Sequence, residues 1–500
     1  PFFSVWGGVV LLGPSFNPPP PSSVAPSPPP AAATPTRFLD ADGERLPRGK
    51  RVLSGLSVGV PGNLALAAKA HGEYGKLEWA ELFQPAIRLA RDGFVMNRRL
   101  NGSLSGSKGR ADKTYAAKAI FFGEDGEVLP VGTRITNPDF ARTLEAIAKA
   151  GPRHFYSAMA EPLASYVAAE TPQDGRMAVS DVKAYEAKLR DPVCGRYRTY
   201  KVCGMGPPSS GGVAVAQILG QLERFDLAAL GPDSATFWHL FLESQRIAYA
   251  DRGLYTGDAD FVPVPVAGLV DPAYIASRSA LIRTDKALEK AEPGTPKGAN
   301  LALAIGDRPY EQGTTHFSVV DKDGNAVSYT STIEGAFGSG LFFEGFYLNN
   351  ELTDFSLTPE RDGKMVANAV QGRKRPRSSM APTIVFDDKG EVVMAVGAAG
   401  GPTIPVQTAR ASIGVGDFEL SAKEALSLPL ILAFGSTVVY EKGSVIEGME
   451  EQLKALGHTQ IRSFGAPLKA NALLRTVDAN GAVSWDAARD PRVEPKLVFE

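Results

Sequence analysis

Histidine and cysteine are scarce in this 500-residue chain, which has five of the first and two of the second. That scarcity excludes much familiar chemistry. His71, His154, His239, His316 and His458 fall in no Ser/His/Asp arrangement and in no metal-ligand spacing. There is no Walker loop and no dinucleotide fingerprint. Gly211-Gly212 and Gly335-Ala336-Phe337-Gly338-Ser339-Gly340 are glycine-rich without a phosphate-loop spacing, so loop and turn roles suffice for them. An excess of either charge is also missing. Lys plus Arg total 53 against 55 acidic residues, which leaves no electrostatic case for nucleic acid or an anionic membrane. The apolar start, Phe2–Gly13, is too short to span a bilayer and lacks a basic flank, so the sequence itself carries no targeting signal. Cys194 and Cys203 flank a stretch that reads as a short hairpin. Two readings stay open there: a disulfide in an oxidising compartment, or two buried free thiols.

What is present is a chain that is 44% hydrophobic and able to bury a large core, and length alone allows about three domains. Residues 1–36 read as irregular and proline-rich. From about 55 to 313 the pattern is largely helical, with 3.6-type apolar spacing over Trp79–Arg91, Phe140–Ala150 and Ser234–Asp251. Residues 286–312 read as exposed and mobile. From 314 onward hairpins alternate with helices. One of them, Thr383–Phe386 with Val392–Val396, delivers Gly400-Gly401.

The most informative stretch is Gly313-Thr314-Thr315-His316-Phe317-Ser318-Val319-Val320-Asp321. A small residue followed by two hydroxyl residues opens a strand there, the local pattern of a self-cleaving junction. A Thr hydroxyl is a weak nucleophile without a base. Cleavage between Gly313 and Thr314 would supply one, because the new α-amine sits on the same residue with a pKa near 7.7–8.0. An Asp323-Gly324 turn predicts a hairpin with Ala326–Thr332. It places Thr332 opposite Thr315, or opposite Thr314 if the turn type differs by one residue.

Several segments occur in order and together closely resemble the small subunit of γ-glutamyltranspeptidases, members of the N-terminal-nucleophile hydrolases. They are Thr314–Asp321, Leu348-Asn349-Asn350-Glu351-Leu352-Thr353-Asp354-Phe355-Ser356, Arg375-Pro376-Arg377-Ser378-Ser379-Met380-Ala381-Pro382-Thr383 and Gly397-Ala398-Ala399-Gly400-Gly401. Upstream, Ser57-Val58-Gly59-Val60-Pro61-Gly62, Pro85–Ala90, Pro207-Pro208-Ser209-Ser210-Gly211-Gly212 and Ala248-Tyr249-Ala250-Asp251-Arg252 resemble that family's large subunit. The resemblance covers roughly residues 34–500. It implies an α+β fold, a four-layer αββα sandwich, from a precursor cleaved into two subunits. Residues 37–313 would form the large-subunit part and 314–500 the small-subunit part, intertwined as one domain.

The resemblance also implies a role for each matching residue. Thr314 would be the nucleophile that takes up a γ-glutamyl group. Thr332 would hold its hydroxyl and amine in place, and Gly400 and Gly401 would present amides to the oxyanion. Glu334, Glu351 and Asp354 would receive the donor's α-ammonium, and Ser378 and Ser379 its α-carboxylate. Glu334 stands where well-known members have Asn. The implied substrates are glutathione or other γ-glutamyl compounds, with water, amino acids or peptides as acceptors. No cofactor and no metal are implied, and the implied location is periplasmic or secreted. One departure stands out. The family's carboxylate-clamping Arg would fall near Pro26, yet no Arg or Lys occurs before Arg37, and residues 1–30 read as an aberrant terminus or a polyproline linker. Arg37 and Arg45 are the nearest substitutes. The segment 356–374 is short and has no Tyr, which predicts a partly open site. Two alternatives follow from these departures: an acylase of the same fold, cleaving for example a glutaryl side chain from a β-lactam nucleus, or an inactive remnant that never matures.

Overall fold

The computed structural model describes residues 7–12, 22–24, 27–307, 313–465 and 469–493. Two antiparallel sheets organise it. Their strands, in chain order, are β1 (Gly7–Leu12), β2 (Ser22–Val24), β3 (Lys188–Arg190), β4 (Val193–Tyr197), β5 (Tyr200–Gly204), β6 (Thr314–Val320), β7 (Ala326–Thr332), β8 (Thr383–Phe386), β9 (Val392–Ala399), β10 (Lys469–Val477) and β11 (Val483–Arg489). The first sheet is five-stranded, in the order β3-β2-β1-β7-β6, and the second is six-stranded, in the order β11-β10-β9-β8-β5-β4. Strands from both sides of Gly313 therefore share each sheet.

The sheets pack face to face with β6 and β7 against β9. Helices cover the outer faces: α1 (Asn63–Tyr74), α2 (Trp79–Asp92) and α3 (Pro138–Ala150) on one side, and α4 (Gly211–Leu222), α5 (Ala235–Tyr255), α6 (Pro272–Ser279) and α7 (Ile404–Gly416) on the other. This is a four-layer αββα arrangement, the layered solution to burying two apolar sheet faces. α2 and α3 show the 3.6 spacing read from the sequence, and the apolar stripe of each faces the other. α5 is different. Sixteen of its 21 residues are buried, so it runs through the protein interior and its polar residues meet partners there.

Between the sheets, β7 presents hydroxyls where aliphatic side chains are usual. Ser328, Thr330 and Thr332 are all buried, and Ser328 Oγ donates to Val396 O at 3.1 Å. Gly397 of β9 is what lets the sheets approach. A Cβ there would lie 2.3 Å from the His316 ring.

Two readings of the sequence differ from the structure. Within residues 1–36, read as irregular, β1 pairs with β7 from Gly7↔Thr332 to Leu12↔Val327 and β2 pairs with β1. Prolines confined to the intervening segments leave both strands free to donate. Residues 286–294, read as mobile, are tied down. Leu288 N donates to Glu243 Oε2 at 2.6 Å, Ala287 N to Leu456 O at 2.6 Å and Gly294 N to Asp251 Oδ1 at 2.8 Å. Residues 308–312 of the same reading, and the position near Pro26, lie outside the described residues. Of the two readings of the cysteines, the structure has the disulfide. Cys194 and Cys203 are directly paired in the β4–β5 hairpin and are bonded.

Candidate active site

Thr314 is the first residue of β6 and pairs across the ladder with Thr332, the last of β7. The register is the second of the two that the sequence allowed. The Asp321–Asn325 turn, in which Asp321 N donates to Asn325 O at 3.0 Å, decides it. The two hydroxyls meet: Thr314 Oγ1 donates to Thr332 Oγ1 at 3.5 Å, and Thr332 Oγ1 also accepts from Glu334 N at 2.8 Å. Thr314 is only 7% exposed in the joined chain. The short 356–374 segment, from which a partly open site is expected, pairs Met365 and Val366 with Leu303 and Ala304.

Gly313 has φ 92, and a Cβ on it would lie 2.5 Å from Glu334 O. Only glycine fits the residue before Thr314, for both reasons. The turn it presses against is itself unusual, since Glu334 (φ 71) and Phe337 (φ 64) both lie in the left-handed region. Asn350 clamps this turn. Its Nδ2 donates to Glu334 Oε2, and its Oδ1 accepts from Gly335 N at 2.8 Å. On the other side, Arg110 donates to Ala336 O at 3.3 Å. Burial lowers the Arg110 pKa, while the charge of Glu334 pushes it back up.

Glu351 and Asp354 lie on one 3-10 turn, Glu351–Asp354, and both are buried, as is Glu334. Asn349 holds the start of that turn against the early part of the chain, with its Oδ1 accepting from Gly59 N (3.0 Å) and from Glu351 N (3.1 Å). Ser378 and Ser379 run beside the loop before α4. Ser378 N donates to Pro208 O at 3.1 Å, and Ser210 N returns a bond to Ser378 O at 2.9 Å.

His316 sits over Gly397, and Ser318 Oγ donates to Ala395 O at 3.3 Å. The Gly400-Gly401 turn directly follows β9, the strand that packs against β6. Gly400 (φ 130) and Gly401 (φ 56) lead through a short 3-10 turn into α7, whose N-terminal end favours negative charge. His316 shares a face with Thr314 but is engaged elsewhere, by Thr330 Oγ1 at 2.8 Å and Ser318 Oγ at 3.0 Å. Burial pulls its pKa down to about 3, so the ring is neutral near pH 7.

The two substitute cations are occupied. Arg37 is buried and donates to three backbone carbonyls, those of Leu56, Gly175 and Gly55. Arg45 pairs with Asp307 at 3.0 Å. Sequence reasoning gave no role to Asn350, although it lies inside the Leu348–Ser356 segment, nor to Arg110, whose only signal would have been its tertiary contact.

Among the described residues, one group has metal-like composition: His239, Glu243 and His458, away from Thr314. Its hydrogen bonds use up the ring nitrogens. Arg246 donates to His458 Nδ1 (3.1 Å), so His458 Nε2–H donates to His239 Nδ1 (2.8 Å) and His239 Nε2–H to Arg283 O (2.7 Å). An apolar cavity of about 320 Å³ lies between α1, α2 and α3, lined by Leu64, Trp79, Phe83 and Phe140, and takes in none of the site residues.

A family model described as Gamma-glutamyltranspeptidase matches residues 24–498. The chain is 36% identical over 437 residues to the glutathione hydrolase proenzyme of Bacillus subtilis (strain 168), an alignment covering 85% of this chain and 72% of that protein. It is 38% identical over 416 residues to the glutathione hydrolase proenzyme of Escherichia coli (strain K12), covering 79% of this chain and 68% of that one. In fold it is similar to the crystal structure of cephalosporin acylase from Bacillus halodurans, with a TM-score of 0.83 at 22% identity over 98% of this chain and 86% of that one.

Proposed function

The chain belongs to the gamma-glutamyltranspeptidase family, and from that premise we propose that it is a self-processing γ-glutamyltransferase and glutathione hydrolase whose nucleophile is Thr314. The observation that carries this reading is the Thr314–Thr332 pair at a strand start, reached through a position that admits only glycine. Cleavage between Gly313 and Thr314 leaves residues up to 313 and residues from 314 as the two subunits. The freed α-amine takes the Thr314 hydroxyl proton, and Oγ1 bonds to the γ-carbonyl carbon of the donor. The oxyanion that forms lies towards the Gly400 and Gly401 amides. The carbon–nitrogen bond then breaks, the proton passes to the leaving amine, and a γ-glutamyl ester remains. Water or an amino acid or peptide amine takes up the acyl group.

Three buried carboxylates, Glu334, Glu351 and Asp354, support a donor bearing an α-ammonium. A glutaryl donor brings no cation to this acidic lining, which favours the γ-glutamyl reading over the acylase alternative. No helix among the described residues is long and apolar enough to cross a membrane, and the Cys194–Cys203 disulfide favours an exported protein.

Intact mass and N-terminal sequencing after incubation at neutral pH test the reading. The expected product is a fragment beginning Thr314-Thr315-His316 that releases nitroaniline from γ-glutamyl-p-nitroanilide and not from the glutaryl analogue. A persistent single 53.0 kDa chain would overturn it.

A further inference from the structure

The segment Ala248-Tyr249-Ala250-Asp251-Arg252, conspicuous in the sequence, has no part in the chemistry above. In the structure it forms the last turns of α5. Asp251 fastens that end: its Oδ2 accepts from Gln217 Nε2 (3.0 Å) and Tyr274 OH (2.8 Å), and its Oδ1 from Gly294 N (2.8 Å). Arg252, 5% exposed, lies with its guanidinium carbon 5.5 Å from the centroid of the Tyr249 ring. The Tyr249 hydroxyl in turn donates to Pro402 O, just past Gly401. From this anchored place Arg252 reaches two serines. Its Nε donates to Ser210 Oγ at 2.7 Å and its Nη2 to Ser379 Oγ at 2.6 Å.

Proton accounting separates the two hydroxyls. Arg carries donors only, so both serine oxygens accept from it. Ser210 spends its own proton on Ser378 O at 2.7 Å. Ser379 Oγ accepts from the guanidinium, which turns its proton away from the cation. A hydroxyl that accepts from a cation is a stronger donor through its remaining proton.

We propose that Arg252 is the positioning residue that makes Ser379 a seat for the donor's α-carboxylate. The inference rests on the γ-glutamyl reading of the site.

The test compares two p-nitroanilides: γ-glutamyl, with both α-groups, and 4-aminobutanoyl, with the amine only. Arg252→Gln is expected to raise KM for γ-glutamyl-p-nitroanilide by roughly 10- to 100-fold, the size of a lost charged hydrogen bond, with kcat little changed. KM for the 4-aminobutanoyl compound should move less than about twofold, and Arg252→Lys should recover part of the γ-glutamyl loss. Ser379→Ala leaves the buried guanidinium in place and should show the same discrimination, which keeps the test valid if Arg252→Gln folds poorly. An equal rise for both donors, or none, would overturn the proposal. If the wild-type enzyme hydrolyses no anilide, the γ-glutamyl reading has failed. The carboxylate seat is then read by thermal shift with glutarate against 4-aminobutyramide. Stabilisation by glutarate that Arg252→Gln abolishes supports the seat, and stabilisation that survives it, or none, refutes it.

Discussion

Replacing Gly397 by alanine tests the inter-sheet packing that sets Thr314 in place. The added Cβ would fall 2.3 Å from His316 Cε1 and 2.4 Å from Nδ1, so the ring must move. The ring is pinned by Thr330 Oγ1 and Ser318 Oγ in a buried layer, so moving it breaks two hydrogen bonds. Overpacking costs about 1–3 kcal/mol, and each buried polar group left unsatisfied about 1–3 kcal/mol more. Partial relaxation brings the expected sum to about 3 kcal/mol. At ~2.1 cal/mol/K of unfolding entropy per residue, a chain of this length shifts about 1 °C per kcal/mol, so Gly397→Ala should melt about 3 °C lower. Calorimetry on the Thr314→Ala background keeps the chain uncut and the comparison clean. In the His316→Ala background the same glycine change should cost almost nothing, because the clash has been removed. A drop under about 1 °C, or one of equal size with and without the imidazole, would refute the reasoning. In the cleavable protein, Gly397→Ala should also slow appearance of the Thr314 fragment, since His316 lies two residues along the same strand face.

Acid should weaken the fold through its buried histidines. Burial holds His316 and His458 down at about 3, against about 6.5 for a free imidazole. A base with a depressed folded pKa contributes stability that is whole above about pH 6.5 and is lost as pH falls from there towards the folded value. The loss is about 1.4 kcal/mol per pH unit per histidine. Denaturant titrations between about pH 6 and 4 should show this slope, shallower by one proton in His316→Gln; an unchanged slope would count against it. Reducing the Cys194–Cys203 disulfide, which closes a hairpin of sequence separation 9, should cost about 2–3 kcal/mol by loop entropy. Calorimetry with and without reductant should register about 2–3 °C, and identical curves would contradict the estimate.

The strands that carry the site were legible where local chemistry dictates them. Asp323-Gly324 between alternating β-formers announces the β6–β7 hairpin, and the Thr383–Ala399 hairpin announces the glycine turn. Register was not legible, because it depends on how Asp321 and Asn325 close the turn. β1 and β2 were hidden by the prolines around them, and nothing local marks a short strand that exists only by pairing with β7. Contacts such as Arg110 to Ala336, 226 residues apart, have no sequence signature at all. The anchoring of residues 287–294 was missed for a related reason. The stretch is polar and broken by proline and glycine, but its partners Glu243 and Asp251 lie on the buried face of α5.

The six-stranded sheet draws β4 and β5 from before Gly313 and β8 to β11 from after it, with β5 hydrogen-bonded directly to β8. While the chain is whole, bringing these strands together is an intramolecular search at high effective concentration. A cut at the proposed Gly313–Thr314 bond would leave the same sheet joining two molecules. The mature protein then descends from a precursor whose folding route no longer exists. If it is melted, recovery becomes a second-order encounter between fragments, each holding part of a sheet with a raw edge. Its persistence is therefore set by an unfolding barrier rather than by a folding equilibrium, and heat should inactivate it irreversibly where the uncut precursor can still return.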